Sequence, residues 1–213
     1  AGRAELAFSA SVAGVQVDLS AGTLVDGEGF EDQFTSIEIV TGSDATDMLI
    51  GGGGADRMHG ENGDDFIIGG NGDVIFANAG DDFIELDGIP DGAFIGGGTG
   101  IDTLDLSRLS TGANINLSDG VVDVSGLVSQ FTEVEVIIGS SHADTIQGTS
   151  ISDTLIGGDG SDLIFGGVGF DTISGGQGDD LLLGGDGDDL FIGSAGDNTI
   201  LGGDGSDLSL IHI

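Results

Sequence analysis

Acidic side chains recur at a fixed spacing of nine residues in the last third of the chain, and each is followed by a short apolar stretch. Carboxylates are the hard oxygen ligands that Ca²⁺ and Mg²⁺ take in proteins. The intervening residues are rich in Gly, whose main-chain carbonyls are not shielded by a Cβ and can supply further oxygens. These residue types at this spacing therefore predict a series of divalent cation sites rather than one catalytic centre.

Eight consecutive nonapeptides run from residue 139 to residue 210 without a gap. Position one is Gly in all eight units, and position six is Asp in seven units and Asn198 in the other. Position eight is apolar in seven units and Ser209 in the last. The sixth-position acids that we predict as metal ligands are Asp144, Asp153, Asp162, Asp171, Asp180, Asp189 and Asp207.

A first, looser block of the same repeat spans residues 42–105 and is irregular at 86–96. One of its units, residues 69–76, is a residue short, and we expect Asp73 to stand in there with altered geometry. Ala93 replaces the acid in the irregular stretch, where we expect no ion. The predicted metal ligands of this block are Asp47, Asp56, Asp65, Asp82 and Asp102.

A longer period contains both blocks, because Phe34–Ile39 matches Phe131–Val136 at an offset of 97 residues. The chain is therefore about two copies of one larger module, each with a spacer that leads into a repeat block. The predicted organisation is a spacer at 1–41, a first block at 42–105, a spacer at 106–138, a second block at 139–210 and a tail at 211–213.

Each nonapeptide predicts a turn followed by a short strand. Gly, Asp and Asn in the first six positions favour a sharp turn, and the apolar last three suit a strand whose eighth residue points inward. Two units then close one coil, and coils stack at about 4.8 Å. Asp162 would lie between Asp144 and Asp180, where paired carboxylates repel by roughly 3 kcal/mol. A cation between the two carboxylates turns this repulsion into a net attraction. Carboxylate and carbonyl ligands suit Ca²⁺ better than they suit Mg²⁺.

These units resemble the RTX (hemolysin-type) calcium-binding repeat, whose pattern is G-G-x-G-x-D-x-U-x. The resemblance implies an all-β, right-handed parallel β-roll, or β-solenoid, with two repeat blocks joined by a non-repeat β spacer. It implies that each ion is held by the sixth-position Asp of two stacked turns together with turn carbonyls. Pairing the acids two units apart predicts roughly eight Ca²⁺ ions in all. RTX proteins are exported by type I secretion, so the expected location is extracellular, secreted or at the surface of a bacterium.

The composition excludes several classes of function. Acidic residues number 38 against three Arg and no Lys, and a net charge of −35 opposes binding to nucleic acid or to an anionic membrane. Without Cys there is no disulfide, zinc–thiolate or catalytic thiol site. The chain has no H-E-x-x-H and no G-x-S-x-G motif, and its paired acids recur with the repeat. We therefore expect no enzymatic activity.

The leading hypothesis is a calcium-binding module that folds on Ca²⁺ binding outside the cell and serves export and structure of a larger secreted protein or adhesin. The alternatives are the non-catalytic tail of a secreted hydrolase, such as a protease or lipase, and a carbohydrate-binding module. Five outward residues of alternate units would stack into an apolar face, a candidate for contact with a neighbouring module or a second copy. This leucine face comprises Leu163, Phe165, Leu181, Leu183 and Leu201.

Overall fold

The computed structural model describes residues 3–88, 91–193 and 195–210. These residues form 24 strands and no helix, so none of them belongs to a helix that could cross a membrane. The predicted tail at 211–213 lies outside the described residues. The prediction of an all-β parallel solenoid is confirmed by the strand pairing given below.

The first twelve strands are β1 (Glu5–Ala7), β2 (Gln16–Asp18), β3 (Thr23–Val25), β4 (Glu31–Gln33), β5 (Ile39–Thr41), β6 (Met48–Ile50), β7 (Arg57–Asn62), β8 (Phe66–Gly69), β9 (Val74–Ala79), β10 (Phe83–Leu86), β11 (Phe94–Thr99) and β12 (Thr103–Asp105). The other twelve are β13 (Asn114–Asn116), β14 (Val121–Val124), β15 (Leu127–Thr132), β16 (Val136–Ile138), β17 (Thr145–Gln147), β18 (Thr154–Asp159), β19 (Leu163–Val168), β20 (Thr172–Gln177), β21 (Leu181–Asp186), β22 (Leu190–Ile192), β23 (Thr199–Asp204) and β24 (Leu208–Leu210).

The chain divides into two compact units. Unit 1 contains residues 1–104 and 127–134, and unit 2 contains residues 105–126 and 135–213. Residues of both predicted spacers form strands, so the spacers are built into the units and are not bare connections.

Unit 1 has two sheets on which successive strands alternate. The first sheet has the order β1-β5-β7-β9-β11-β15, and all its neighbours are parallel. The second runs β12-β10-β8-β6-β2 and continues through β3 and β4, which are antiparallel to their neighbours. Because consecutive strands from β4 to β12 lie on opposite sheets, two repeats complete one coil, as the repeat length predicts.

Unit 2 repeats this arrangement with greater regularity. Its first sheet contains β13, β17, β19, β21 and β23 as parallel neighbours, with β14 antiparallel to β13. Its second sheet contains β16, β18, β20, β22 and β24, all parallel. Within the second repeat block, paired residues are 18 positions apart along the chain, as for Ile164 and Leu182. A two-repeat coil requires this separation.

The core of each unit is the stack of eighth-position side chains. Their exposed fraction is at most 1% from Leu49 to Leu104 in the first block and from Ile146 to Phe191 in the second. The inward orientation of position eight is therefore confirmed. Each coil is one side chain deep on each sheet, so its core is small and apolar burial alone stabilises it weakly.

Most strands of the second block are six residues long, whereas the sequence predicts three. The strand β18 continues past Ile156 through two Gly residues, and Gly158 pairs with Gly176 of the next coil. The extension follows from the absence of a Cβ at these positions. A Cβ on Gly176 would overlap the main-chain carbonyl of Gly158. The first residues of each turn therefore belong to the hydrogen-bonded ladder.

Candidate metal centre

The sixth-position side chains form two stacked columns in each unit, which we call the inner columns. In each step, the backbone N–H of one sixth-position residue donates to Oδ1 of the sixth-position residue in the next coil. In unit 2, the Asp144 N–H donates to Asp162 over 2.8 Å, and the Asp162 N–H donates to Asp180 over 3.0 Å. The predicted stacking of Asp162 between Asp144 and Asp180 is confirmed.

The same bond recurs throughout both units. The further pairs, written from the N–H to the accepting Oδ1, are Asp47 to Asp65, Asp56 to Asp73, Asp65 to Asp82, Asp82 to Asp102, Asp153 to Asp171, Asp171 to Asp189, Asp180 to Asn198 and Asp189 to Asp207, with lengths of 2.8–3.1 Å. Asp73 therefore takes its place in a column, as expected of the short repeat. The Asn198 amide oxygen accepts the same bond as a carboxylate.

The second oxygen, Oδ2, divides the turns into two kinds. In what we call closed turns, the backbone N–H of position two donates to Oδ2 of position six in the same repeat. These bonds are 2.6 Å from Ser43 and from Ser140, and 2.7 Å from Thr149. Gly52 and Gly70 make the same bond over 2.7 Å. In Asp47, Asp73 and Asp144 both carboxylate oxygens accept N–H groups, so the polypeptide itself satisfies these carboxylates without a cation. In Asp153, Oδ1 accepts the Thr149 hydroxyl instead.

In the other kind, the open turns, the residue at position two has a positive φ, and no such bond from position two to Oδ2 is found among the described residues. The second-position residues with positive φ are Glu61, Asn78, Gly98, Gly158, Gly167, Gly176, Gly185 and Gly203, with φ between 81° and 120°. Glu61, at 81°, is a non-Gly residue in a region that ordinary side chains seldom adopt. The turn therefore imposes this conformation even where the side chain opposes it.

Open turns contain buried carboxylate oxygens that no hydrogen bond satisfies. Within the residues that the structure describes, Oδ2 has no hydrogen-bond partner in Asp65, Asp82, Asp162, Asp171 and Asp189. These side chains are at most 2% exposed. A buried ionised oxygen without a partner is costly, which predicts that something absent from the polypeptide itself completes it.

The pKa values of these groups show the cost of burial. Removal from water, aggravated by neighbouring Asp side chains, raises the pKa of Asp65 and of Asp162 to about 7. The same causes raise the pKa of Asp171 to about 6. Without a bound cation, these three carboxyl groups therefore stay protonated to a higher pH than an ordinary Asp does.

Oxygen atoms lie close to the first Gly of most repeats. A Cβ on Gly157 would overlap Oδ2 of Asp162 and would lie 2.5 Å from the carbonyl oxygen of Gly175 in the next coil. At Gly166 the corresponding atoms are Oδ2 of Asp171 and the carbonyl oxygen of Gly184, the latter 2.6 Å from that Cβ. A cradle lined by a carboxylate and a carbonyl suits the hard oxygen preference of Ca²⁺.

Side chains alone do not complete these sites. In the described part of the chain, no three acidic or imidazole side chains converge on one point that could hold a metal ion. An ion in an open turn would therefore take much of its coordination from main-chain carbonyls. This explains why the turns need Gly as well as Asp, and it agrees with the flexible oxygen coordination of Ca²⁺ more than with the strict octahedron of Mg²⁺.

Acids at position five have a different role. The Asp81 N–H donates to Oδ1 of Asp64 over 2.9 Å, and the Asp197 N–H donates to Asp179 over 2.8 Å. Here the side chain accepts from the following coil, whereas position six accepts from the preceding one. Where position five is also Asp, the Asp-Asp pair therefore hydrogen-bonds its turn to both neighbouring coils.

The sequence profile of the RTX calcium-binding nonapeptide repeat matches four segments, residues 41–73, 73–88, 138–173 and 174–208, which together exceed half of the chain. The chain belongs to the RTX calcium-binding repeat family. RTX nonapeptides bind Ca²⁺, so this chain is a calcium-binding repeat module. No curated protein sequence matches the chain significantly.

The RTX matches and the structure agree over most of the chain and differ at two points. Asp102 lies outside the matched segments, yet its Oδ1 accepts the N–H of Asp82 and extends an inner column. Both RTX blocks also begin with closed turns, which the pattern of Gly and Asp does not reveal. Ser43, Ser140 and Thr149 at position two are the available sequence signal, since they replace the Gly that a positive φ favours.

Proposed function

We propose that this RTX module is a folding switch that becomes a rigid β-roll when Ca²⁺ binds in its open turns. The observation that carries the proposal is the set of buried, unsatisfied Oδ2 atoms stacked along the inner columns. Forty-four Gly residues and a net charge of −35 oppose collapse of the metal-free chain. Binding energy of the ions is then folding energy, as in other domains whose sites form only in the folded state.

The proposed ligands are the sixth-position acids of the open turns, each with turn carbonyls. They are Asp65, Asp82, Asp102, Asp162, Asp171, Asp180, Asp189 and Asp207. The other four predicted ligands, Asp47, Asp56, Asp144 and Asp153, accept N–H groups at Oδ2 in closed turns. We propose that these four mainly cap the first turns of each block. The bound number remains at roughly eight ions or fewer.

The calcium dependence also supports a location outside the cell. Extracellular calcium modules bind with dissociation constants of about 10⁻⁴–10⁻³ M, so their sites are empty in the cytosol and filled outside it. A chain that stays unfolded until it meets millimolar calcium can be threaded through a secretion channel and compacted on arrival. We therefore propose type I export, and a role in the structure of a larger secreted or surface protein without catalysis by this module.

The test is a calcium titration of the purified chain followed by circular dichroism. We expect little strand signal in calcium-free buffer and a cooperative rise with a midpoint of about 0.1–1 mM Ca²⁺. Magnesium at the same concentration should produce no comparable rise. A strand signal that is the same in excess EGTA and in calcium would refute the folding switch, and a midpoint in the micromolar range would refute the proposed dependence on extracellular calcium.

We also propose that the leucine face is a contact surface for a neighbouring module or a second copy. Leu163 pairs with Leu181, and Leu183 pairs with Leu201, so the stacking expected from the sequence is present. Leu181 is 37% exposed and Leu201 51% exposed. Replacement of Leu181 and Leu183 by Thr should weaken calcium-dependent association in sedimentation. The same replacement at Leu208 and Leu210, on the other sheet, should leave it intact.

A further inference from the structure

The two spacers have equivalent strands. In the first spacer, β2 pairs in parallel with β6 of the following block and antiparallel with β3. In the second spacer, β13 pairs in parallel with β17 and antiparallel with β14. The backbones also match, since φ is 87° at both Gly29 and Gly126, and 61° at Ser36 against 57° at Glu133. At the offset of 97 residues, β4 therefore corresponds to β15.

The third strand of the second spacer, β15, covers the last coil of the first block. It belongs to unit 1 and pairs in parallel with β11, with Ile95 opposite Phe131. Gln130 donates its N–H to the carbonyl of Ala93 over 3.0 Å, and the Ala93 N–H donates to Ser129 Oγ over 3.1 Å. Phe131 is 2% exposed as a result. Thus β15 hydrogen-bonds the backbone groups along the edge of β11, the last strand of this sheet in the first block.

The corresponding strand of the first spacer, β4, covers no roll in the part of the chain that the structure describes. It is the last strand of its sheet among the described residues, and all three of its residues are exposed. Phe34, which corresponds to Phe131, is only half-buried. Asp32 stands in the place of Ser129 and offers the same kind of side-chain oxygen to a backbone N–H. The strand β4 thus has the backbone conformation and the kinds of side chain with which β15 pairs with β11, but among the described residues it pairs only with β3.

The last coil of unit 2 has a matching edge. The strand β23 ends its sheet in the described part of the chain, as β11 would without β15. Its eighth-position residue, Ile200, is half-exposed, whereas Ile164 and Leu182 at the same position in earlier coils are fully buried. An uncovered strand edge beside a half-exposed core residue is a template for adding another strand.

We propose that β4 of one copy of this chain adds in parallel to β23 of a second copy, in the register by which β15 adds to β11. Gln33 would face Thr199, Phe34 would face Ile200, and Thr35 would face Leu201. The two surfaces differ and lie on different parts of the chain, so the contact is head-to-tail and does not close by itself. Modules of this kind would then join end to end. The strand pairing would be the same as the one that β15 of the second spacer makes with β11 within unit 1.

The first test is sedimentation velocity of the full chain in calcium over a range of concentrations. The wild type should form dimers and longer species, and Phe34→Asp should weaken association roughly tenfold or more, because it replaces a buried aromatic anchor with a charge. Phe30→Asp is the matched control. Leu127, at the corresponding position, stays 38% exposed beside β11, so this variant should associate like the wild type. Circular dichroism in calcium verifies that each variant folds, and Ile200→Lys, on the opposite surface, should weaken association by a similar factor.

A second test reads the register directly, because the chain contains no Cys. Facing residues in neighbouring strands lie within disulfide distance. The double variant Gln33→Cys with Thr199→Cys should form a ladder of disulfide-linked species under oxidising conditions in calcium. Gln33→Cys with Leu208→Cys, whose second Cys lies on the other sheet, should not. A wild type that stays monomeric at all concentrations overturns the proposal. It is equally overturned if the chain associates without the cross-linked ladder, or if Phe34→Asp associates like Phe30→Asp.

Discussion

Replacement of Asp162 by Asn should stabilise the metal-free fold, and most or all of this gain should disappear in calcium. Its Oδ1 accepts the Asp144 N–H, and an Asn can keep that bond, as Asn198 does for Asp180 over 2.8 Å. What the substitution removes is the charge on Oδ2, which is buried without a hydrogen-bond partner in the described chain. In the empty turn this buried charge lowers the stability of the fold. In the filled turn the charged oxygen is a ligand of the ion.

The magnitude follows from the pKa. A rise from the ordinary value of 3.8 to about 7 corresponds to roughly 4 kcal/mol of destabilisation once the group is ionised, and partial solvation of the turn reduces this to about 2 kcal/mol. Asp162→Asn should therefore raise the metal-free unfolding free energy by about 2 kcal/mol. In about 10 mM calcium, loss of one site with the affinity proposed above removes roughly 1.4–2.7 kcal/mol of calcium-derived stability, which should cancel most or all of that gain.

Asp144→Asn is the matched control in a closed turn. The Asp144 carboxylate accepts the N–H groups of Ala113 and Ser140, each over 2.6 Å. An Asn there turns an N–H₂ toward one of these donors, which should cost about 1–3 kcal/mol in either condition. Its calcium stoichiometry should equal that of the wild type, whereas Asp162→Asn should bind at least one ion fewer.

The assay combines urea unfolding, followed by circular dichroism, with equilibrium dialysis against calcium. Where the metal-free chain is unfolded at neutral pH, the pH at which strand signal disappears in calcium-free buffer replaces the urea midpoint. The reasoning is refuted if both variants bind the same number of ions, or if Asp162→Asn destabilises the metal-free fold as much as Asp144→Asn does.

Two further predictions follow from the same turns. Because folding raises the pKa of Asp65 and Asp162 to about 7, the metal-free fold binds more protons than the unfolded chain. Its stability should thus be greatest below about pH 4 and fall as pH rises to about 7, and strand signal that instead grows over this range would contradict the argument. Gly157→Ala places a Cβ against Oδ2 of Asp162 and should weaken calcium-induced folding at least severalfold. Gly53→Ala, which meets no atom within 4 Å, is its control, and equal calcium midpoints for the two would show that the cradle is irrelevant.

Much of this structure could be predicted because the two-residue alternation of side chains along a strand agrees with the nine-residue repeat. The alternation of a strand places Ile164 inside and Leu163 and Phe165 outside, and a nine-residue unit brings every second repeat into register. The same arithmetic stacks Asp162 between Asp144 and Asp180. These features depend only on which residue types recur and how far apart they are.

The division into open and closed turns could not be predicted in this way. Gly52 and Gly158 both occupy position two, yet Gly158 has a φ of 111° while Gly52 donates its N–H to Asp56. Gly allows either conformation, so its identity does not reveal which N–H points toward the carboxylate. The position of β15 was equally hidden, because Phe131 packs against a block that lies before it in the chain. Only the three-dimensional pairing reveals that β4 has no corresponding neighbour among the described residues.

Successive repeats of unit 2 place their strands on its two sheets in turn. Whether an odd or an even number of repeats is lost or gained therefore decides on which sheet every later strand lies. Loss of a single nonapeptide, such as residues 184–192, would send the strand of Leu201 to the opposite side, beside Ser174 and away from Leu183. Loss of two nonapeptides would leave every later residue on its original side. Insertions and deletions in pairs therefore preserve the chemical character of each surface, and those in single repeats exchange the two surfaces from that point onward.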